Sequence, residues 1–167
     1  MDHLDKKIIN MLEDNARITL KSLAQEVFLS SPAVSARIER LSAEGIIKNF
    51  SANVDEDKLG FPIKAFINLE MDPVLKPEFY PFIDSCPNVL ECDCVTGIYS
   101  MLIKVCFTST LELDTFIGHL QEFGKTETQI VFSTPVKHRG INITAISTEN
   151  DEDTPETDSL TENDDIQ

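Results

Sequence analysis

Apolar residues recur at helical spacing near the N-terminus and predict three short amphipathic helices, at residues 4–12, 20–27 and 34–41. The second and third apolar stripes follow each other closely enough to pack together across a tight turn. Ser30 or Ser31 can cap the third helix, because a serine hydroxyl accepts a hydrogen bond from a free amide of the first turn. Gly45 supplies the C-terminal stop of the same helix.

The outward face of the third helix is small near its start and carries two arginines further along. Such a face fits the major groove of DNA, because small residues let the backbone approach base edges while serines and arginines bond phosphates or bases. An ordinary helical hairpin with a solvated arginine face has the same periodicity, so the pattern alone leaves both interpretations open. The candidate DNA-binding residues are Ser31, Pro32, Ala33, Ser35, Ala36, Arg37, Arg40 and, just beyond the helix, Lys48.

Residues 46–54 are rich in β-forming side chains and predict a strand directly after the three helices. Three helices followed by a strand are typical of a winged helix-turn-helix. Lys48 would then reach the DNA backbone beside the groove. The predicted DNA-binding domain, with its linker strand, covers residues 1–60.

Alternating apolar positions in the second half predict strands at residues 62–71, 89–95, 99–107 and 128–135, and helices at residues 77–85 and 110–123. Residues 141–146 add a fifth strand at an edge. In the second of these strands, Leu90, Cys92 and Cys94 form the face that is expected to be buried. The order βαββαβ is that of a ferredoxin-like fold, so the chain is predicted to be α+β, with its second domain at residues 61–147.

The predicted sheet has helices on one face only, and its strands carry apolar residues on both faces. An apolar sheet face that is open to water favours a partner, and dimerisation through the sheets is therefore expected. Two copies would place paired helix-turn-helix units on the two half-sites of a near-palindromic DNA site.

The net charge of −15 argues at first against a nucleic-acid partner. Residues 149–167, however, hold nine acidic residues and no basic one, so the rest of the chain carries only −6. Between Arg17 and Lys48, five basic residues stand against three acidic ones, which makes the predicted DNA-facing part mildly positive. Low hydrophobicity predicts that residues 148–167 are a disordered acidic tail, either a solubilising extension or an electrostatic competitor of DNA.

The four cysteines lack a metal-ligand spacing and are expected to be reduced thiols of a cytoplasmic protein. No apolar run is long enough for a membrane span, and the charged N-terminus is unlike a signal peptide. The histidines are scattered, and no phosphate-binding loop, dinucleotide fingerprint or nucleophile elbow is found. We therefore predict a protein that is not an enzyme and uses no metal or cofactor.

An ordered set of residues resembles the Lrp/AsnC family, the leucine-responsive or feast/famine transcriptional regulators. The resemblance rests on Leu4-Asp5, Ile8, Leu12, Asn15-Ala16-Arg17, Leu23-Ala24, Leu29-Ser30, Val34, Arg37-Ile38, Arg40-Leu41, Gly45-Ile46-Ile47 and Leu59-Gly60, and continues to about residue 146. It implies an N-terminal winged helix-turn-helix and a C-terminal ligand-sensing domain that forms dimers, often assembled into octamers. Phe28 departs from the family pattern, which has glycine before Leu-Ser.

The resemblance also implies an amino-acid pocket at the turn after the second strand, where a glycine is usually followed by acidic residues. This chain offers no carboxylate at that turn for an α-ammonium group. Glu127, which lies where the family often has polar pocket residues, is the candidate replacement, although a solvated strand end and a simple turn are the alternatives. The predicted effector-binding residues are Gly97, Ile98, Tyr99, Ser100, Thr126 and Thr128.

Together these observations predict a sequence-specific DNA-binding transcriptional regulator that forms homo-oligomers and responds to an amino acid or a related small molecule. The alternative is an effector-binding or protein-interaction module whose winged helix does not read DNA. The acidic balance of the chain gives this alternative some support. Salt dependence separates the two, because binding through several phosphate contacts weakens steeply as salt rises.

Overall fold

The computed structural model describes residues 1–143, which divide into two compact units. One unit holds Met1–Ala52 together with the chain from His138, and the other holds Asn53–Lys137. The first unit is helical and the second contains a four-stranded sheet, so the predicted α+β class is confirmed. The predicted acidic tail at 148–167 lies outside the described residues. No helix in the described part of the chain is long and apolar enough to cross a membrane.

The helical unit contains α1 (His3–Asp14), α2 (Leu20–Glu26) and α3 (Ser31–Ala43), which confirms the three predicted helices. Each helix begins at a side-chain cap. Asp2, Thr19 and Ser30 each accept a hydrogen bond from an amide in the first turn of the following helix. Ser30, rather than Ser31, is therefore the cap of α3.

The C-terminal end of α3 is fixed by Gly45, as the sequence predicts. Gly45 has a φ of 72°, in the left-handed region that favours glycine. The Ile46 amide donates to the carbonyl of Leu41 at 2.9 Å, and the Gly45 amide donates to Ser42 at 3.0 Å. This pair of bonds is a Schellman motif, which satisfies two carbonyls of the last turn.

A small apolar core joins the three helices, and its buried members are Ile8, Leu23, Ala24, Val27 and Val34. The turn between α2 and α3 contains Phe28, which has a φ of 55° and is 92% exposed. A left-handed conformation is unfavourable for a residue with a β-carbon, which explains why glycine suits this position. Leu29 packs against the core directly after it.

Residues 46–54 do not form the predicted strand. The four strands of the sheet pair only with one another, and within this segment only Ile47 is shielded from solvent. A β-prone run becomes a strand only where a neighbour supplies backbone hydrogen bonds, and no described strand lies beside this one.

The predicted fifth strand at 141–146 is also absent in its described part. The chain there contacts α1 instead: the Asn10 side-chain amide donates to the Asn142 side chain at 3.4 Å. The Ile143 amide donates to the Asn10 side-chain oxygen at 3.3 Å. Residues 144–146 lie outside the described residues.

The sheet unit is built on β1 (Ile63–Met71), β2 (Val89–Cys94), β3 (Met101–Phe107) and β4 (Gly124–Ile130). Neighbouring strands are antiparallel and lie in the order β2-β3-β1-β4. A short 3₁₀ turn leads from β1 into α4 (Lys76–Ser85), and α5 (Thr110–Leu120) joins β3 to β4. The predicted βαββαβ order is thus confirmed.

One face of the sheet packs against α4 and α5 around a large apolar core. Its buried members are Ala65, Ile67, Leu69, Met71, Phe79, Ile83, Met101, Ile103, Val105, Phe107, Leu113, Phe116 and Leu120. The alternation of β1 and β3 places every second residue in this core, as the period of a strand requires. Phe79 of α4 is fully buried in this core, with its ring edge-on to Phe123 at 5.4 Å between centroids.

The opposite face of the sheet is more polar than the sequence pattern predicted. The other residues of β1 and β4 on this face include Lys64, Asn68, Glu70, Lys125, Glu127 and Gln129. The apolar residues that the central strands β1 and β3 place on this face are Phe66, Leu102 and Cys106. Lys64 pairs with Glu56 at 3.3 Å, and Lys104 pairs with Glu91 at 3.4 Å.

Two further strand predictions need correction. In β2 the predicted buried face was Leu90, Cys92 and Cys94, but the pairing shifts between Val89 and Glu91. A bulge of this kind inserts an extra residue, so Val89 and Cys92 both pack on the core while Leu90 is exposed. The fourth strand is Gly124–Ile130 rather than 128–135, because its pairing with β1 begins directly after α5.

Candidate nucleic-acid interface and ligand site

The outer face of α3 carries most of the predicted DNA-binding residues. Ala36 and Pro32 are exposed, and Ser31 and Ala33 are half-buried. Three more of the predicted residues are Ser35, Arg37 and Arg40, and each has a partner within the protein. The Ser35 hydroxyl donates to the Glu39 carboxylate at 3.0 Å. Lys48 is exposed and lies in the segment that forms no strand.

The two arginines of α3 are bound by carboxylates at the start of α1. Arg37 Nη1 lies 2.7 Å from Asp2 Oδ2 and 2.7 Å from Asp5 Oδ1. Arg40 Nη2 lies 2.7 Å from Asp5 Oδ2, and its Nη1 lies 3.3 Å from a Glu44 oxygen. The sequence pattern predicted that these arginines lie on an outward face. In the structure they do not extend freely into solvent but bind carboxylates at the start of α1, and so they link α3 to α1.

Asp5 is the centre of this cluster, with a side chain that is only 1% exposed. Burial opposes its ionised form, but the hydrogen bonds from Arg40, the Asp2 amide and Arg37 together outweigh burial and hold the pKa of Asp5 well below its ordinary value. The hydrogen bond from the Asp5 amide, followed by that from Arg37, lowers the pKa of Asp2. The bond to Asp2 raises the pKa of Arg37, and the bond to Asp5 raises that of Arg40.

An open cavity of about 550 Å³ lies beside this cluster, lined by Met1, Asp2, Asp5, Ala36, Arg37 and Arg40. The first unit therefore gathers both arginines and the small side chain of Ala36 at one concave surface. Guanidinium groups in such a place can bond a phosphate or the edge of a guanine, with geometry that a flexible lysine does not supply.

The predicted ligand-binding turn joins β2 to β3 and is fastened to the end of β1. Gly97 has a φ of 116°, and Ile98 is 79% exposed. The Ser100 amide donates to the Leu69 carbonyl at 2.9 Å, and its hydroxyl accepts from the Met71 amide at 3.0 Å. Ser100 is thus occupied by the backbone of β1.

Tyr99 of this turn reaches Glu127 of β4. The Tyr99 hydroxyl donates to the Glu127 carboxylate, and this bond is the main reason that the pKa of Tyr99 is raised. Glu127 pairs with Asn68 of β1 on the polar face of the sheet. The structure thus brings a carboxylate to the turn that lacks one in sequence.

The two predicted threonines lie on the other face of the sheet. Thr126 pairs with Leu69, and Thr128 pairs with Ile67, both of which are core residues. The Gln121 side-chain amide donates to the Thr126 hydroxyl at 3.4 Å. The predicted effector residues are therefore divided between two faces of the sheet.

The sequence pattern did not indicate which side chains bind Arg37 and Arg40. The carboxylates that bind Arg37 and Arg40 from the start of α1 are those of Asp2 and Asp5, which also form a capping box there. An Asp-x-x-Asp start on one helix and Arg-x-x-Arg on another are complementary in charge, and that signal was available. No local spacing rule connects residues more than thirty positions apart.

Residues 1–48 match a family model described as winged helix-turn-helix DNA-binding, and residues 64–141 match one described as the Lrp/AsnC ligand binding domain. The HTH-type transcriptional regulator LrpA of Bacillus subtilis is 35% identical over 132 residues, which cover 78% of this chain and 97% of LrpA. The chain belongs to the Lrp/AsnC family. The predicted family is thereby confirmed.

Solved structures of Lrp/AsnC proteins agree with this membership. B. subtilis LrpC superposes with a TM-score of 0.78 at 27% identity, over 83% of this chain and 99% of LrpC. Escherichia coli AsnC superposes with a TM-score of 0.76 at 31% identity, over 85% of this chain and 98% of AsnC. This Lrp/AsnC protein is accordingly a transcriptional regulator with a winged helix-turn-helix and a ligand-binding domain, and not an enzyme. The interaction-module alternative is not favoured.

Proposed function

We propose that this regulator reads double-stranded DNA with the outer face of α3. Ala33 and Ala36 approach base edges, while Arg37 and Arg40 bond phosphates or guanine. The observation that supports this proposal best is the gathering of both arginines at one cavity beside Ala36. Phosphate contacts from Ser31, Ser35 and the exposed Lys48 complete the interface, and Pro32, which has no amide hydrogen to donate, lies beside them in the first turn of α3.

The variant Arg37→Ala tests this proposal in the full-length protein. The probe is a labelled duplex recovered by selection from random DNA, and fluorescence anisotropy gives the affinity at two salt concentrations. We expect binding to weaken roughly five- to hundredfold, the scale of one lost base contact, with a shallower salt dependence. The matched control is Lys58→Ala, which removes the same charge in the other unit.

Two outcomes contradict the proposal in different ways. If the wild-type protein selects no duplex and binds none at low salt, the DNA-reading function itself fails. If it binds but Arg37→Ala behaves like Lys58→Ala, the interface lies elsewhere on the protein. Far-UV circular dichroism shows that each variant is folded before its affinity is compared.

We also propose that the sheet unit binds an amino acid through its α-ammonium group at Glu127. Glu127 supplies the negative charge, Tyr99 orients that carboxylate, and Ile98 offers an exposed apolar contact. In support, a transcriptional regulator of Neisseria meningitidis was solved in complex with L-methionine, and it superposes with a TM-score of 0.76 at 25% identity over 83% of this chain and 94% of that chain. The turn at Gly97 and Ser100 shapes the site, while Thr126 and Thr128 support β4 from the other side of the sheet.

Isothermal titration calorimetry with individual amino acids tests the effector site. We expect one or a few of them to bind the wild-type protein saturably and Glu127→Gln to abolish that binding. Glu122→Gln removes the same charge just after α5 and is expected to leave binding unchanged. Equal affinities of the wild-type protein and Glu127→Gln for an amino acid would mean that its α-ammonium group does not bind at Glu127.

The regulator is further proposed to form homodimers through the polar face of the sheet, which associate into octamers. Phe66 and Leu102 give this face a small apolar centre, and charged residues surround it. A dimer would give two helix-turn-helix units for the half-sites of a near-palindromic operator. Sedimentation velocity over a range of concentrations measures the assembly size, and a monomer at all concentrations would contradict it.

A further inference from the structure

The two carboxylates that hold Arg37 differ in how easily a ligand could replace them. Asp5 is 1% exposed and accepts hydrogen bonds from Arg37, from Arg40 and from the Asp2 amide. Asp2 is 53% exposed and lies at the open cavity. Asp5 is therefore a fixed anchor, whereas Asp2 is accessible to an incoming anion.

The two oxygens of Asp2 serve different purposes. Oδ1 accepts from the Asp5 amide at 2.8 Å and caps α1, while Oδ2 accepts from Arg37 at 2.7 Å. Release of Arg37 from Oδ2 thus leaves the helix cap in place. The exchange of partners requires no unwinding of α1.

The cluster holds enough negative charge to satisfy both arginines in the free protein. Three carboxylates, Asp2, Asp5 and Glu44, face the guanidinium groups of Arg37 and Arg40, so the local sum is −1. When Arg37 leaves Asp2 for a phosphate, the buried Asp5 still holds both arginines in position. The phosphate then takes the place that the Asp2 carboxylate had on the guanidinium.

We infer that Asp2 is an intramolecular competitor of DNA, which occupies Arg37 until a phosphate or a base edge displaces it, and that Asp5 is the positioning residue that keeps the arginine in place throughout. This inference rests on the proposed DNA-reading role of α3. Asp2 sets the affinity of the interface without touching DNA. Its removal is expected to tighten binding, the opposite of what loss of a DNA contact would do.

The test compares Asp2→Asn with Asp14→Asn in the full-length protein, by anisotropy on a labelled mixed-sequence duplex. Asparagine caps helices as well as aspartate does, so Asp2→Asn keeps α1 intact. Asp14 lies at the other end of α1, about 18 Å away along the helix axis, and its substitution removes the same charge. We expect Asp2→Asn to tighten binding roughly two- to fivefold, the scale of one exposed ion pair, and Asp14→Asn to change it less.

A double-mutant cycle with Arg37→Ala separates competition from simple repulsion. If Asp2 acts by holding Arg37, its substitution has no further effect once Arg37 is absent. A gain that persists in the Arg37→Ala background means that Asp2 repels DNA directly and overturns the inference. A gain equal to that of Asp14→Asn, or weaker binding, overturns it as well. Absence of wild-type binding to any duplex instead refutes the proposed function, and the inference with it.

Discussion

The helical unit and the sheet unit are stabilised in different ways. The helical unit has an apolar core of five buried residues and adds a buried carboxylate, Asp5, that binds both arginines of α3. The sheet unit has thirteen buried apolar residues in one cluster, and the ion pairs that Lys64 and Lys104 make lie on the sheet face away from that cluster. In the helical unit, buried charge thus supplements a small apolar core, whereas the sheet unit has the larger apolar core.

This difference decides whether stability and function can be separated. In the helical unit, Arg37 and Arg40 serve the proposed DNA interface and also bind α3 to α1. In the sheet unit, Tyr99 and Glu127 lie on the polar face, away from the core. Substitutions at the proposed DNA interface should therefore alter stability as well as binding, whereas those at the proposed effector site should alter binding alone.

The largest expected effect is the fall in unfolding free energy when a core side chain of the sheet unit is removed. Phe79 is fully buried, and its replacement in Phe79→Ala should destabilise this unit by about 3–5 kcal/mol. Both tyrosines of the chain, Tyr80 and Tyr99, lie in the same unit, so tyrosine fluorescence during urea unfolding reports on it selectively. Leu111→Ala removes an exposed side chain from α5 and should change stability by less than about 0.5 kcal/mol. Equal losses would mean that the core is not centred on α4.

The next effect concerns the helical unit. Asp5→Asn keeps the size of the side chain but removes the charge that both arginines share, and should cost about 1–3 kcal/mol of unfolding free energy. The arginines stay partly solvated, which keeps the loss below that of a fully buried ion pair. Urea unfolding that is monitored by circular dichroism at the helical band measures this loss of unfolding free energy. Asp14→Asn, at an exposed position of the same helix, is the control and should be near neutral.

The pH dependence of stability should change in the same variant. The pKa of Asp5 is lower in the folded protein than in the unfolded chain, where it is about 3.9. Its contribution is therefore complete above that value and is lost progressively as pH falls below it. Wild type should lose more stability than Asp5→Asn between pH 7 and about pH 3, as measured by urea unfolding at each pH. Parallel curves would show that Asp5 is not the titrating group.

Regular periodicity was enough to predict most of the fold. The helices and the βαββαβ order followed from spacing, because each element has one face in a core. The errors lie where partners decide the outcome. Residues 46–54 have strand-forming side chains but no neighbouring strand, and the bulge at Leu90 moves Cys92 and Val89 to the same face. Local sequence does not contain the register of the neighbouring strand.

The candidate sites were predictable as positions but not as contacts. The spacing on α3 indicated Arg37 and Arg40, yet their partners Asp2 and Asp5 come from another helix. Glu127 was suggested as a replacement charge, and only the folded sheet shows that Tyr99 donates to it. A strand prediction in the correct register would have placed Thr126 and Thr128 on the face opposite Glu127.

The smallest expected effect comes from two glycines of the sheet unit, one with open space around it and one in close contact with a neighbouring strand. Gly118 lies on the exposed face of α5, and a β-carbon there meets no atom within 4 Å. Gly118→Ala should therefore stabilise the unit by about 0.5–1 kcal/mol, because alanine restricts the unfolded chain and favours the helix. At Gly124, by contrast, a β-carbon would overlap the carbonyl oxygen of Glu70 across the β1–β4 ladder, and Gly124→Ala should destabilise it. Tyrosine fluorescence during urea unfolding compares the two variants, and effects of the same sign would contradict the close approach of β4 to β1.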